Sequence, residues 1–300
     1  MSEVKRPVAP ADFEQFWQLT LERLLEQDTD KQTRNEVLLG DGTAYLNVGF
    51  DSLENCRIEG YACLWQDKPR PLIIYTNGYN GQYVERQNWA KRGVNVFGFD
   101  TRGFGRSKNA LSLSPYGHIL TGIEDKNTSI LRGAVCDYIQ AIRVAKALLN
   151  HEPTRVVFYG FSFAGAMAIQ AAAVSQMADI VVAGVPTFGW QEKRHSLHIL
   201  GSAEEVNQYL ASHPLKRSSV MSVLNYFDTL HFAEKLKCPT LVGVGKKDEV
   251  VPSETVMAII ENLRCPHRFS VFKESHGPRD DVIWAPFIKE LIDISKSGGI

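Results

Sequence analysis

No run in the 300-residue sequence approaches the roughly 18 apolar residues that a membrane-spanning helix needs. The opening Met-Ser-Glu-Val-Lys-Arg-Pro also has no apolar stretch of the kind a secretory leader carries. These absences lead to the expectation of a soluble, unsecreted, cytoplasmic protein without a membrane partner. An excess of charge of either sign is missing too. Lys and Arg number 33 against 34 Asp and Glu, a net charge of −1, with no block of like charge to attract a nucleic acid. Cysteine is scarce and scattered: Cys56, Cys63, Cys136, Cys238 and Cys265 are odd in number and free of C-x-x-C spacing. That pattern argues against a disulfide framework or a zinc site and for buried thiols. No metal-ligand spacing stands out, and Gly103-Phe104-Gly105 lacks the third glycine of a dinucleotide fingerprint, so neither metal nor cofactor is expected.

What is present reads as a single domain over 1–300 with a hydrophobic content of 44%. A helix over 9–27, with Phe13, Phe16, Trp17, Leu21 and Leu24 near helical spacing, makes 1–30 a docking segment. Two β-rich runs, 44–50 and 57–65, suggest an antiparallel sheet edge. Strands over 71–76 and 93–100 flank a helix expected at 83–92. After an irregular stretch to about 126, Ile130, Ala134, Tyr138, Ile142, Ala145 and Leu149 form one helical stripe. Strands are expected at 156–159, 179–185, 237–245 and 268–272, with a mostly helical insertion over about 186–230. A helix over 253–263 and a last one over 282–294, with Trp284, Phe287, Ile288, Leu291 and Ile292 inward, complete the chain. Strands alternating with helices predict an α/β fold whose central sheet is mostly parallel, with helices on both faces.

The organising stretch is 155–173. Val156-Val157-Phe158-Tyr159 is a continuously apolar strand, and an alanine-rich helix starts at Ala164. Between them Gly160-Phe161-Ser162-Phe163-Ala164-Gly165 has the form of a nucleophile elbow, in which small residues let strand and helix pack closely around a strained serine. The bare pattern is common by chance; its place at a strand-to-helix junction is what gives it meaning. A serine hydroxyl needs a base and a group to orient that base. In α/β-hydrolases these follow in the order Ser, Asp or Glu, His. Asp248 follows the strand at 240–245 in Gly-Lys-Lys-Asp-Glu-Val-Val-Pro, with Glu249 and Asp228 as rivals. His276 follows the last strand, and none of the other seven histidines fits that slot. The oxyanion would be held by the amide of Phe163 and by Gly78 or Tyr79 in the loop Asn77-Gly78-Tyr79-Asn80-Gly81. Tyr79, Phe188 and Trp190 are candidates for lining a substrate pocket. Asp100 and Arg102 read as a structural polar cluster beneath the elbow.

On these residues the sequence resembles the acetyl xylan esterase and cephalosporin C deacetylase family of α/β-hydrolases over nearly its whole length. Matching pieces include Asp12-Phe13-Glu14-Gln15-Phe16-Trp17, Gly78-Tyr79-Asn80-Gly81, Arg102-Gly103, Arg132-Gly133 with Asp137, Tyr226-Phe227-Asp228 and Asp248-Glu249-Val250-Val251-Pro252. The resemblance implies a serine esterase removing small acyl groups, typically acetyl, from sugars and related alcohols. It also implies Ser162, Asp248 and His276 as the triad, Tyr79 and Phe163 as the oxyanion hole, a small-molecule ester substrate and a homo-oligomer. The sequence departs from the family where Arg-Gly-Gln becomes Arg102-Gly103-Phe104, where Gly-x-Ser-Gln-Gly becomes Gly160-Phe161-Ser162-Phe163-Ala164, and where His-Glu becomes His276-Gly277. Two glutamines replaced by phenylalanines suggest a coupled change, an apolar contact between Phe104 and Phe163 in place of a polar one. Other chemistry on this scaffold, carbon–carbon bond hydrolysis or acyl transfer, and a non-catalytic binding role are the alternatives at this level.

Overall fold

The computed structural model describes residues 4–29, 31–197, 200–273, 276 and 280–299. Helix α1 (Phe13–Leu25) leads into three strands, β1 (Lys31–Leu38), β2 (Ala44–Ser52) and β3 (Cys56–Leu64). Then come β4 (Leu72–Thr76), α2 (Gln87–Ala90), β5 (Asn95–Phe99), α3 (Ile130–Ala147), β6 (Val156–Phe161), α4 (Phe163–Ser175) and β7 (Ile180–Gly184). Four helices, α5 (Gln191–Ser196), α6 (Ser202–Ser212), α7 (Arg217–Asn225) and α8 (Thr229–Ala233), separate β7 from β8 (Thr240–Gly245). Helix α9 (Ser253–Asn262), β9 (His267–Phe272) and α10 (Asp280–Ser297) end the chain.

The nine strands form one sheet in the order β1-β2-β3-β5-β4-β6-β7-β8-β9. Strands β4 to β9 run parallel, and β1, β2 and β3 add an antiparallel edge against β5. The apolar runs expected as buried strands are buried at every position in β4, β5 and β7, as a sheet covered on both faces requires. From α3 the Tyr138 hydroxyl lies 2.6 Å from the Ile74 carbonyl and 2.8 Å from the Tyr159 carbonyl, strapping the helix across β4 and β6. Helix α1 docks through Phe13, Phe16 and Trp17, which meet Tyr226, Phe227 and Phe232 edge-on.

Three expectations need correction or limits. The edge has a third strand, β1, that the sequence did not announce. The helix expected over 83–92 is reduced to α2, because tertiary contacts claim the amides its first turn would use. Tyr83 N donates to Asp100 and Arg86 N donates to the Tyr61 hydroxyl. On α10, Phe287, Leu291 and Ile292 are buried, whereas the side chain of Trp284 lies outside the described residues.

Candidate active site

Ser162 stands alone between the end of β6 and the start of α4, with φ 58° and ψ −115°. A non-glycine residue in that region is strained and persists only where its surroundings over-determine it. Here the amide of Ser162 donates to the Gly184 carbonyl at 2.8 Å, and its own carbonyl accepts from Ala166 N at 3.1 Å and Thr187 N at 3.3 Å. The small residues have a visible purpose: a Cβ on Gly160 would stand 2.0 Å from the Ala164 carbonyl oxygen. Packing holds the turn from below, since every residue of α4 from Phe163 to Ala173 is buried.

The β8 and β9 pairing continues past both strands, with Lys246 N donating to the Phe272 carbonyl and Lys247 N to the Lys273 carbonyl. That extension carries Asp248 and His276 to the same end of the sheet. Asp248 Oδ1 accepts from Val250 N at 2.9 Å and Val251 N at 2.8 Å, which aims the second oxygen. Oδ2 then accepts from His276 Nδ1 at 2.8 Å. The imidazole ring lies 5.2 Å from the ring of Phe161, the residue immediately before Ser162. Of the rival acids, Glu249 is exposed, and Asp228 is a buried brace that accepts from Trp190 N, Gln191 N and Leu230 N.

The loop after β4 is set by Asn77, whose Oδ1 accepts from Thr101 N at 2.9 Å and whose Nδ2 donates to Gly78 O at 2.8 Å. The amides of Tyr79 and Phe163 have no acceptor among the described residues. Their side chains meet, with ring centroids 6.0 Å apart, inside an aromatic cluster that also holds Phe104, His118 and Phe188. Phe104 and Phe163, expected to be in contact, are T-shaped at 5.7 Å. His118 stacks on Phe104 at 3.8 Å and bonds the Arg102 carbonyl through Nε2; burial pushes it down to about 4, so it is neutral. The Tyr79 hydroxyl donates to Glu205 of α6, whose other oxygen accepts from Ile119 N at 2.8 Å. Burial raises the Glu205 carboxyl against those hydrogen bonds.

Not every expected residue joins this group. Trp190 sends its indole N–H to the Lys5 carbonyl and lies under Arg6, buttressing the N-terminal segment. Asp100 and Arg102 do not pair with each other. Arg102 is clamped by Asp137, while Asp100 holds the amides of Tyr83 and Arg106. Glu205, His118 and Arg194 were missed: each sits in a stretch whose spacing reads as irregular or solvated. Four of the five cysteines are buried and Cys238 is half-buried, all unpaired. Among the described residues no cluster of His, Cys, Asp or Glu could hold a metal, and no helix is long and apolar enough to cross a membrane.

Comparison with solved structures shows the same architecture. An acetyl xylan esterase from a Paenibacillus species superposes with a TM-score of 0.83 at 20% identity, covering 95% of this chain and 96% of that one. Acetyl xylan esterase 1 from a Thermoanaerobacterium species gives 0.84 at 21% identity, with 96% and 94% covered. An esterase from Pyrococcus furiosus is more distant, at 0.59 and 17% identity, with 89% and 97% covered. Residues 4–283 match the acetyl xylan esterase family itself. The chain, an α/β-hydrolase and a serine carboxylic-ester hydrolase, belongs to the acetyl xylan esterase family.

Proposed function

We propose that Ser162 is the nucleophile, His276 the general base and acid, and Asp248 the group that orients the imidazole. The observation that carries this reading is the hydrogen bond from His276 Nδ1 to Asp248 Oδ2, with the imidazole 5.2 Å from the ring of Phe161, the residue before the strained serine. With Nδ1–H held by the carboxylate, Nε2 is the basic nitrogen. Ser162 Oγ attacks the ester carbonyl and gives its proton to Nε2. The tetrahedral oxyanion is held by the amides of Tyr79 and Phe163, and the alcohol leaves with the proton from His276. Water then repeats the sequence on the acyl-enzyme.

The packed rings of Tyr79, Phe163 and Phe188 around the two amides support a dry acyl site, and family membership supports acetyl on a sugar-type alcohol as the substrate. The unbroken sheet supports one hydrolase domain over 1–300, and the unpaired thiols support a reducing compartment such as the cytoplasm. A homo-oligomer is supported by the family resemblance. Ser162→Ala is expected to lower kcat for p-nitrophenyl acetate by at least about a thousandfold and to abolish labelling by a fluorophosphonate. A purified variant that keeps most of its turnover overturns the assignment.

A further inference from the structure

The guanidinium of Arg194 lies one aromatic ring away from the proposed oxyanion hole. Its Cζ is 5.3 Å from the centroid of Phe188, and Phe188 meets Phe163 edge-on at 5.9 Å. The segment carrying Phe188 is fastened to the nucleophile, since Thr187 N donates to the Ser162 carbonyl. Phe188 itself has φ 62°, a left-handed backbone held by Thr229 N donating to its carbonyl. Arg194 is 2% exposed, yet its one side-chain hydrogen bond among the described residues runs from Nη2 to Ser202 Oγ at 2.8 Å, and Nε has no partner.

No carboxylate among the described residues pairs with it. Asp228 has Oδ1 engaged by Trp190 N and Leu230 N and Oδ2 by Gln191 N. Glu205, one turn along α6 from Ser202, has its oxygens engaged by Ile119 N and the Tyr79 hydroxyl. Burial lowers Arg194 to about 10, which still leaves it charged at neutral pH. A buried cation without a hydrogen-bonded counter-ion is costly to keep. The same segment also holds the unpartnered Thr187 Oγ1 and both amide atoms of Gln191. Buried polar groups in native proteins are nearly all bonded. They are concentrated on the segment that Thr187 N fastens to the Ser162 carbonyl, and an unanswered charge among them calls for a polar group supplied from outside the chain.

We propose that Arg194 is a specificity-determining residue that binds a carboxylate carried by the ester substrate. The planar fork of a guanidinium matches a carboxylate, and Phe188 packs against the Arg194 guanidinium with Cζ 5.3 Å from its ring centroid. The inference rests on Ser162 being the nucleophile. The carboxylate belongs either to the acyl part, as in a hemiester of a dicarboxylic acid, or to the alcohol part.

Two matched pairs of substrates test this. Monoethyl succinate against ethyl levulinate places the charge on the acyl side, and para-acetoxybenzoate against para-acetoxyacetophenone places it on the alcohol side. The wild-type enzyme is expected to favour the charged member of one pair by about tenfold or more in kcat/KM, the worth of one charge-assisted hydrogen bond. Arg194→Met is expected to bring that ratio to near parity while the neutral member is still hydrolysed, and Arg194→Lys to keep part of it. A wild-type enzyme showing no preference in either pair overturns the proposal, whether or not the variants fold. A preference that survives Arg194→Met overturns it equally. Failure of Ser162-dependent hydrolysis on all four esters would instead bring down the nucleophile assignment, and this inference with it.

Discussion

Arg102 and Arg194 are both buried guanidinium groups, 6% and 2% exposed, but their surroundings differ in kind. Arg102 lies between α3 and the end of β2, where Asp137 takes its Nε at 3.0 Å and its Nη2 at 2.7 Å, and Leu53 O accepts from Nη2 at 3.2 Å. Burial pushes Arg102 down, and the charge and hydrogen bonds of Asp137 more than offset it, leaving the group raised. Arg194 has no such partner, and burial leaves it lowered. A cation that is fully answered inside the chain serves the fold. One that is not answered is kept for something the chain does not contain. The fit at Arg102 is close enough that a Cβ on Gly133 would fall 2.1 Å from Nη1.

The largest effect that could break this contrast is at Asp137. Asp137→Ala leaves Arg102 buried and unpaired, and unfolding by urea should show a loss of about 3–5 kcal/mol. Arg194→Met removes a charge with no hydrogen-bonded carboxylate to leave behind, and should change stability by less than about 1.5 kcal/mol in either direction. If the two substitutions cost the same, the chain answers both guanidinium charges alike.

The contrast was only half legible in the sequence. The elbow could be read because sterics demand it: Gly160 and Ala164 are small where strand and helix touch, and a serine at such a junction has few other reasons to be there. The order of Asp248 and His276 followed from the strand pattern that places them. Strand β1, Lys-Gln-Thr-Arg-Asn-Glu-Val-Leu, could not be read, since an edge strand with exposed Val37 and Leu38 and a register shift between Arg34 and Val37 has no alternation to show. Arg194 sits in Gln-Glu-Lys-Arg-His-Ser, which reads as a solvated helix face. Its burial comes from α6 and from the loop at Phe188, and nothing local encodes either.

An intermediate effect concerns the cluster that separates the two arginines' territories. Phe163 is fully buried against Tyr79, Phe104, His118 and Phe188. Phe163→Gln should cost about 1–3 kcal/mol, because it buries an amide that the aromatic rings cannot satisfy. If the two phenylalanines are a coupled replacement, Phe104→Gln with Phe163→Gln should be milder than the sum of the single changes by about 0.5–3 kcal/mol. Simple additivity in a double-mutant cycle would mean that the contact at 5.7 Å carries no coupling.

The last comparison is read by pH. His195, next to Arg194, is pushed down to about 3, first by burial and then by the neighbouring guanidinium. The unfolded chain takes a proton at this residue near pH 6.5, whereas the folded chain refuses it until about pH 3. The stability that neutral His195 represents is therefore complete above pH 6.5 and drains away as the pH falls, by about 1.4 kcal/mol per unit across that window. His195→Gln should flatten the acid limb of the urea midpoint by that slope. Arg194→Met, which removes the second cause, should leave the slope near pH 6 unchanged and end the loss at a higher pH, because the folded-state value of His195 rises. Arg102→Met, a charge that does not act on His195, should do neither. An acid limb that responds equally to both arginine substitutions would show that the field around Arg194 is already neutralised from within, and the difference between the two sites would shrink to one of geometry.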